Sequence, residues 1–235
     1  MTLDEFNKTN NALRNEWFAS YGGDAGDHDF IYDGATDPAQ WLASPWRIMC
    51  LLKEAHGGGR WNHAEGIKEG GGMLKVGGTA KQATHYRMLE WLYAIETTLN
   101  HKPVDIEYER MNDYTNARQT MMRSAWVNIK KADGEAQSNN NDLTQVVKRD
   151  AMFLRRQLDL LNPKIILCGN IYGIVQGELF PDGQPVVGTA SGFSSRQNNG
   201  RIIMNWFHPA ARKNKDATYK EIISEVESLQ KMKLL

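Results

Sequence analysis

No charge of either sign is in excess in this chain: 28 Lys and Arg stand against 28 Asp and Glu. A basic nucleic-acid coat, an acidic tail and a polybasic membrane binder each need an imbalance. Any charged partner is therefore met by a local patch. Cysteine is scarce as well. Cys50 and Cys168 lie inside apolar runs, where a thiol behaves as a small buried hydrophobe, so neither a disulfide framework nor a cysteine-ligated cluster can be built. No apolar run approaches the roughly 18 residues of a membrane span. The opening residues, MTLDEFNKTNNALRNEW, carry acids and amides where a secretory signal needs an apolar stretch. A cytoplasmic location without a membrane partner is expected. Metal-ligand spacing is also missing: His56, His63, Glu65 and Asp27-His28-Asp29 could approach one another, but the gap between His56 and His63 matches no common ligand pattern. The glycine-rich stretch at Gly57-Gly58-Gly59 and Gly70-Gly71-Gly72 lacks the Gly-Lys-Ser/Thr ending of a phosphate loop. Neither a metal nor a cofactor is expected.

What is present suits a globular protein. With 235 residues, 41% hydrophobic and 24% charged, the chain fits one domain over residues 1–235, with 1–45 as an N-terminal extension packed on it and the molecule a monomer. Four near-continuous apolar runs, Trp46 to Leu52, Ala125 to Ile129, Lys164 to Cys168 and Arg201 to Phe207, read as strands buried on both faces. Helical spacing separates them: Tyr86, Leu89, Leu92, Tyr93 and Leu99; then Leu143, Val146, Val147, Leu154, Leu158 and Leu161; finally Tyr219, Ile222, Ile223, Val226 and Leu229. Asp142 is the expected N-cap of the second helix, and Asn162-Pro163 its end. The glycine-bracketed segment and Asp133 to Asn141 read as loops. Alternating strands and helices predict an α/β fold with a parallel sheet covered on both sides.

Such a sheet holds its ligands beyond the carboxyl ends of the strands. The first strand is followed by Lys53-Glu54-Ala55-His56-Gly57, the second ends in Asn128-Ile129-Lys130-Lys131, the third runs into Gly169-Asn170, and the fourth delivers Phe207-His208-Pro209-Ala210-Ala211-Arg212. A carboxylate, an amide, a glycine turn and an imidazole would converge on one edge. A carboxylate can activate water or stabilise a cationic sugar, and a histidine can donate to charge developing on a leaving group. An asparagine can match a base edge that offers a carbonyl beside an N–H.

These stretches carry a resemblance. Lys53-Glu54-Ala55-His56-Gly57 resembles the Gly-Glu-Ala-Pro-Gly motif of the family 4 branch of the uracil-DNA glycosylase superfamily, and His208-Pro209-Ala210 resembles that superfamily's His-Pro-Ser. Val127-Asn128-Ile129-Lys130-Lys131 is similar to its Asn-Val-Val-Lys stretch, and Leu161-Asn162-Pro163-Lys164-Ile165-Ile166-Leu167-Cys168-Gly169 to its Pro-Lys-Ile-Ile strand. The order holds across residues 46 to 212. The resemblance implies a three-layer α/β/α sandwich around a short, mainly parallel four-stranded sheet. It further implies Glu54 as the water-activating or cation-stabilising carboxylate, His208 as donor to the base carbonyl and Asn128 as the base-reading amide. Ala55, His56 and Gly57 would shape the base-binding loop, and Trp61 would stack on the extruded base. The chain departs from the family in three ways. It has two cysteines where the family's iron-sulfur cluster needs four, Lys53 and His56 replace a glycine and a proline, and Ala210 replaces the serine. Lys53 would bear on the charge of Glu54 or point into the sheet flank.

Each assignment has a plainer counterpart. Glu54 would pair with Lys53 or Arg60 at the surface, His208 would cap a helix or satisfy a carbonyl, Asn128 would hold a neighbouring loop, and Trp61 would anchor its own. The expected DNA contacts are Arg60, Lys130, Lys131, Arg212 and Lys213, with Arg196 and Lys215 near them. Three activities fit: a DNA N-glycosylase excising uracil or another modified base, a catalytically silent nucleobase or DNA-binding module of the same fold, and a hydrolase of small nucleosides.

Overall fold

The computed structural model describes residues 1–22, 30–55, 62–68, 80–102, 119–132, 134, 138–187, 194–211 and 213–235. The candidates His56, Gly57, Arg60, Trp61 and Arg212 lie outside them, as do His28 and its acidic neighbours. The elements are α1 (Leu3–Ser20), β1 (Gly34–Ala35), α2 (Pro38–Ala43), β2 (Ile48–Leu52), α3 (His63–Lys68), α4 (Ala80–Leu99), β3 (Ala125–Asn128), α5 (Asn140–Leu161), β4 (Ile165–Gly169), α6 (Tyr172–Leu179), β5 (Gln184–Pro185), β6 (Ser194–Asn198), β7 (Arg201–Trp206) and α7 (Lys215–Lys231).

The strands form one sheet in the order β1-β3-β2-β4-β7-β6-β5. The four apolar runs supply its centre, where β3, β2, β4 and β7 are mutually parallel. The four-strand expectation is corrected at both edges. β1 joins β3 antiparallel, and β6 and β5 continue antiparallel beyond β7, so the sheet is mixed and seven-stranded. These three additions carry no apolar run. β1 and β5 are two residues each, and β6 reads Ser-Ser-Arg-Gln-Asn.

The alternation of side chains along a strand splits the core in two. Met49 and Leu51 of β2 join Val127, Ile166 and Ile203 under α1, α2, α5 and α6. Ile48, Cys50 and Leu52 join Trp126, Leu167 and Met204 under α4 and α7. Helices therefore cover both faces. Each large apolar side chain taken fully out of water contributes about 1.5–3 kcal/mol, which explains why strands as apolar as β2 and β4 are stable only here.

Residues 1–45 belong to the first of these layers. Thr2 and Glu5 close a capping box on α1, and Phe6, Leu13 and Trp17 are buried along one stripe of it. The indole of Trp41 donates to the Leu161 carbonyl at 3.1 Å, fastening α2 to the end of α5. The N-cap of α5 is Asn139, whose side-chain oxygen accepts from the Asn141 and Asp142 N–H groups, rather than Asp142, which sits in the first turn. Its end falls as the sequence predicts. Asn162 adopts the left-handed conformation (φ 44°) and Pro163 comes next.

Candidate active site

Parallel strands in register bring their carboxyl ends to one edge. Leu52 lies opposite Asn128, Leu51 opposite Cys168, and Gly169 opposite Trp206. The segments carrying Glu54, Asn128, Asn170 and His208 leave the sheet side by side.

The chain after β2 stays zipped to the chain after β3. Ile129 N–H donates to the Leu52 carbonyl (2.9 Å), Lys130 N–H to that of Lys53 (3.1 Å) and Gly134 N–H to that of Ala55 (2.8 Å), and Ala55 itself is buried. Gly134 crosses directly over the carboxylate, because a Cβ there would stand 2.5 Å from Glu54 Cδ. Glu54 is thereby held down, its side chain 5% exposed. Oε2 lies 3.4 Å from Lys130 Nζ, while Oε1 is buried with no hydrogen-bond partner among the described residues. A buried carboxylate oxygen without a donor is costly, and such exceptions concentrate where a group must act on a ligand. Of the surface pairs open to Glu54, the one with Lys53 is not what forms, since Lys53 reaches instead to Asn140 Oδ1 at the start of α5, at 3.3 Å, and Arg60 lies outside the described residues.

The loop after β7 is fixed from three directions. Gly169 allows Leu52 and Pro209 to close on the end of β4, since a Cβ there would meet Leu52 Cδ2 at 2.6 Å and Pro209 Cδ at 3.5 Å. Arg87 of α4 donates to the Ala211 carbonyl at 2.7 Å, and Ala211 N–H returns to the His208 carbonyl at 2.8 Å. His208 is half-buried, and its Nδ1 accepts from Ala210 N–H at 3.2 Å, which assigns the ring proton of the neutral form to Nε2. Burial first, and the charge of Lys53 second, lower the pKa of His208. Near neutral pH it is an uncharged donor through Nε2, and a helix-capping role does not arise.

Asn128 is buried, and its backbone N–H donates to Asp33 Oδ2 at 2.8 Å. Asp33 also receives Lys131 Nζ (2.5 Å) and Gln157 Nε2 (3.0 Å) on Oδ1, while Arg14 donates to its carbonyl at 3.0 Å. This overturns one expected DNA contact. Lys131 is 2% exposed, its ammonium bonded to Asp33 and Gln157 and 4.7 Å from the centre of the Trp17 ring. A phosphate cannot reach it. Alternation explains the outcome, because Lys130 and Lys131 point to opposite sides of the chain leaving β3. Arg196 lies within β6, opposite Ile203, rather than in a loop, with its guanidinium 5.2 Å from the Tyr172 ring. Lys213 is exposed, its ammonium 4.5 Å from the Phe207 ring.

Sequence reasoning missed Asp33, Gln157 and Arg87. Gln157 had a signal. It shares the apolar stripe of α5 with Leu154, Leu158 and Leu161, and it stands seven residues after the equally buried Asp150, two polar groups where the pattern calls for apolar ones. Asp33 and Arg87 had none, since their partners lie far away in the chain.

The family's iron-sulfur cluster does not fit this chain. Cys50 packs on the α4 and α7 side of the sheet and Cys168 on the opposite side, both fully buried, so the two sulfurs cannot join one ligand set. Burial alone pushes both thiols up, away from the thiolate that a metal needs. Among the described residues no three His, Cys, Asp or Glu side chains gather as a metal site, and no helix is long and apolar enough to cross a membrane. Comparison with family models, with curated proteins and with solved structures gives no match to this chain.

Proposed function

We propose that this chain is a hydrolase that cleaves the N-glycosidic bond of uracil or another modified base in DNA. The observation that carries the reading is Glu54: a carboxylate buried at the carboxyl edge of a parallel sheet, with one oxygen lacking a donor among the described residues, on the same edge as a histidine whose neutral form donates through Nε2. The four ordered motifs and the helix-covered, centrally parallel sheet support the same fold family.

In the reaction the bond between C1′ and the base nitrogen breaks, and its electron pair leaves with the base. Charge builds on the base carbonyl, where the Nε2–H of His208 donates to it, while the Glu54 carboxylate stabilises the cationic sugar. Water adds to C1′ and gives a proton to Glu54 Oε1, which passes it to the departing base. Asn128 reads the base edge, and Lys213 with Lys53 supplies positive charge for the phosphates. With no net charge and few cations placed at the site among the described residues, binding is modest at physiological ionic strength and weakens as salt rises, in proportion to the phosphates contacted.

The test is a strand-cleavage assay on single- and double-stranded oligonucleotides carrying uracil and a panel of other modified bases. Wild type should release one of them, and Glu54→Gln and His208→Ala should each slow release by roughly 10²- to 10⁴-fold. Tight binding without product selects the binding module instead. Cleavage of free nucleosides but not of oligonucleotides selects the nucleoside hydrolase.

A further inference from the structure

The chain places two lysines in succession after β3, and the fold gives them different work. Lys131 turns into the core. Lys130 turns toward Glu54, and its own backbone N–H, bonded to the Lys53 carbonyl, fixes its base beside the loop that carries the carboxylate. Its ammonium reaches Glu54 Oε2 at 3.4 Å and Asp142 Oδ2, in the first turn of α5, at 3.1 Å. The lysine side chain is 19% exposed and that of Asp142 51%, so the pair with Glu54 is the inner one and the pair with Asp142 the outer.

We infer that Lys130 is the positioning residue of Glu54: held between Asp142 and Glu54, it occupies Oε2 and so leaves Oε1, which has no partner among the described residues, as the oxygen to meet a ligand. The activity arm of this inference rests on the glycosylase reading above, while the contact itself does not. The groups that engage the ammonium are those two carboxylates, while Lys53 is turned to Asn140 and His208 Nδ1 is taken by Ala210 N–H. Between them, Lys130 is the cation bonded to Glu54 among the described residues. Gly134 packs close against the Glu54 side chain, and Lys130 is the group that engages one of its two oxygens. A phosphate contact is the rival role. A lysine already engaged by two carboxylates would have to surrender one of them to take a phosphate, and it would then release the group that the chemistry needs. Burial opposes the charge on Lys130, but the hydrogen bond to Asp142 and the charge of Glu54 outweigh it, leaving the ammonium's pKa raised.

Two measurements on the whole protein test this. The first tracks the Lys130 side chain by NMR titration with labelled lysine, its signal assigned by its loss in Lys130→Arg. Glu54→Gln should lower its midpoint. An unchanged midpoint overturns the inference whatever the activity shows. A lowered midpoint in a protein that releases no base keeps the inference and removes the glycosylase reading. The second compares Lys130→Met and Lys130→Arg on the substrate found above. Lys130→Met should cut kcat about 100-fold, in the range of losing a general base. Its DNA affinity, read in the Glu54→Gln background, should stay within about twofold, and Lys130→Arg should recover at least about tenfold of the lost rate. Loss of affinity with a shallower salt dependence and an intact kcat would make Lys130 a phosphate ligand and overturn the assignment. Should Lys130→Met fail to fold by circular dichroism, Lys130→Gln takes its place in the same comparison.

Discussion

Two lysines adjacent in sequence each pair with a carboxylate, and the surroundings of the two pairs differ in what is left over. Around Lys131 and Asp33 the partners are many. Asp33 takes the lysine, Gln157 and the Asn128 N–H, and the lysine adds Gln157 and the face of Trp17. Around Lys130 and Glu54 the carboxylate oxygen Oε1 has no donor among the described residues, and the lysine is shared with a half-exposed Asp142. A buried charge pair costs several kcal/mol in lost hydration, so it persists in a stable protein only when its other hydrogen-bonding capacity is filled. The first pair meets that condition and fastens α1, β1, β3 and α5 together. Among the described residues the second does not, and the shortfall sits at the carboxyl edge of the sheet, where the proposed substrate would bind.

The largest expected effects come from breaking each pair on one side. Asp33→Ala strands the Lys131 ammonium in the core with the Asn128 N–H and Gln157, and should cost about 3–5 kcal/mol of stability, read as a drop in the urea midpoint. Glu54→Gln removes a buried charge that was only partly compensated and leaves Lys130 with Asp142. Its stability should change by less than about 1 kcal/mol while activity collapses, as expected where function is held at the expense of stability. Equal losses in the two variants would erase the distinction between a structural and a functional pair. Burial, opposed by Asp33, lowers the pKa of Lys131, so between that lowered value and the ordinary lysine value of about 10.4 the unfolded chain binds more protons and the urea midpoint should rise with pH.

The centre of the fold was legible in the sequence because its strands are apolar on both faces, and such runs as Ile165 to Cys168 have no other stable setting. That Glu54, Asn128 and His208 stand at one edge of the sheet was legible for a related reason: parallel strands end at one edge, so the residues at and just beyond the end of each run leave the sheet there. The edges were not. β6 is polar throughout and pairs with β7 by backbone hydrogen bonds, which side-chain patterning does not record. Lys131 was misread because two consecutive cations after a strand look alike in sequence, whereas a single step along the backbone reverses the direction of the side chain. Its partner Asp33 lies 98 positions away, a separation that no local pattern spans.

A smaller effect sharpens the comparison at Gly134. A Cβ there would lie 2.5 Å from Glu54 Cδ and 2.9 Å from its Cβ, so Gly134→Ala must displace either the carboxylate or the crossing chain. Overpacking of this kind costs about 1–3 kcal/mol, and the displaced carboxylate should lower kcat more than it raises KM. A variant with full kcat would show that the position of Glu54 is not set by that crossing.

The smallest effect concerns the other half of the site. Because burial and the nearby Lys53 lower the pKa of His208, the folded protein takes up this proton less readily than the unfolded chain. Between the ordinary histidine value of about 6.5 and the lowered folded value, the unfolded state binds more protons. Stability therefore falls as pH drops through that window, and the penalty is constant below it. Lys53→Met removes the lesser of the two causes, so the histidine ring signal, monitored by proton NMR, should titrate at a pH nearer 6.5 than in wild type while staying below it. An unmoved midpoint would mean that Lys53, tied to Asn140, exerts no field on the imidazole. A midpoint that moved above 6.5 would mean that burial does not govern the ring, and the neutral Nε2 donor would then be lost at the pH where the site is meant to work.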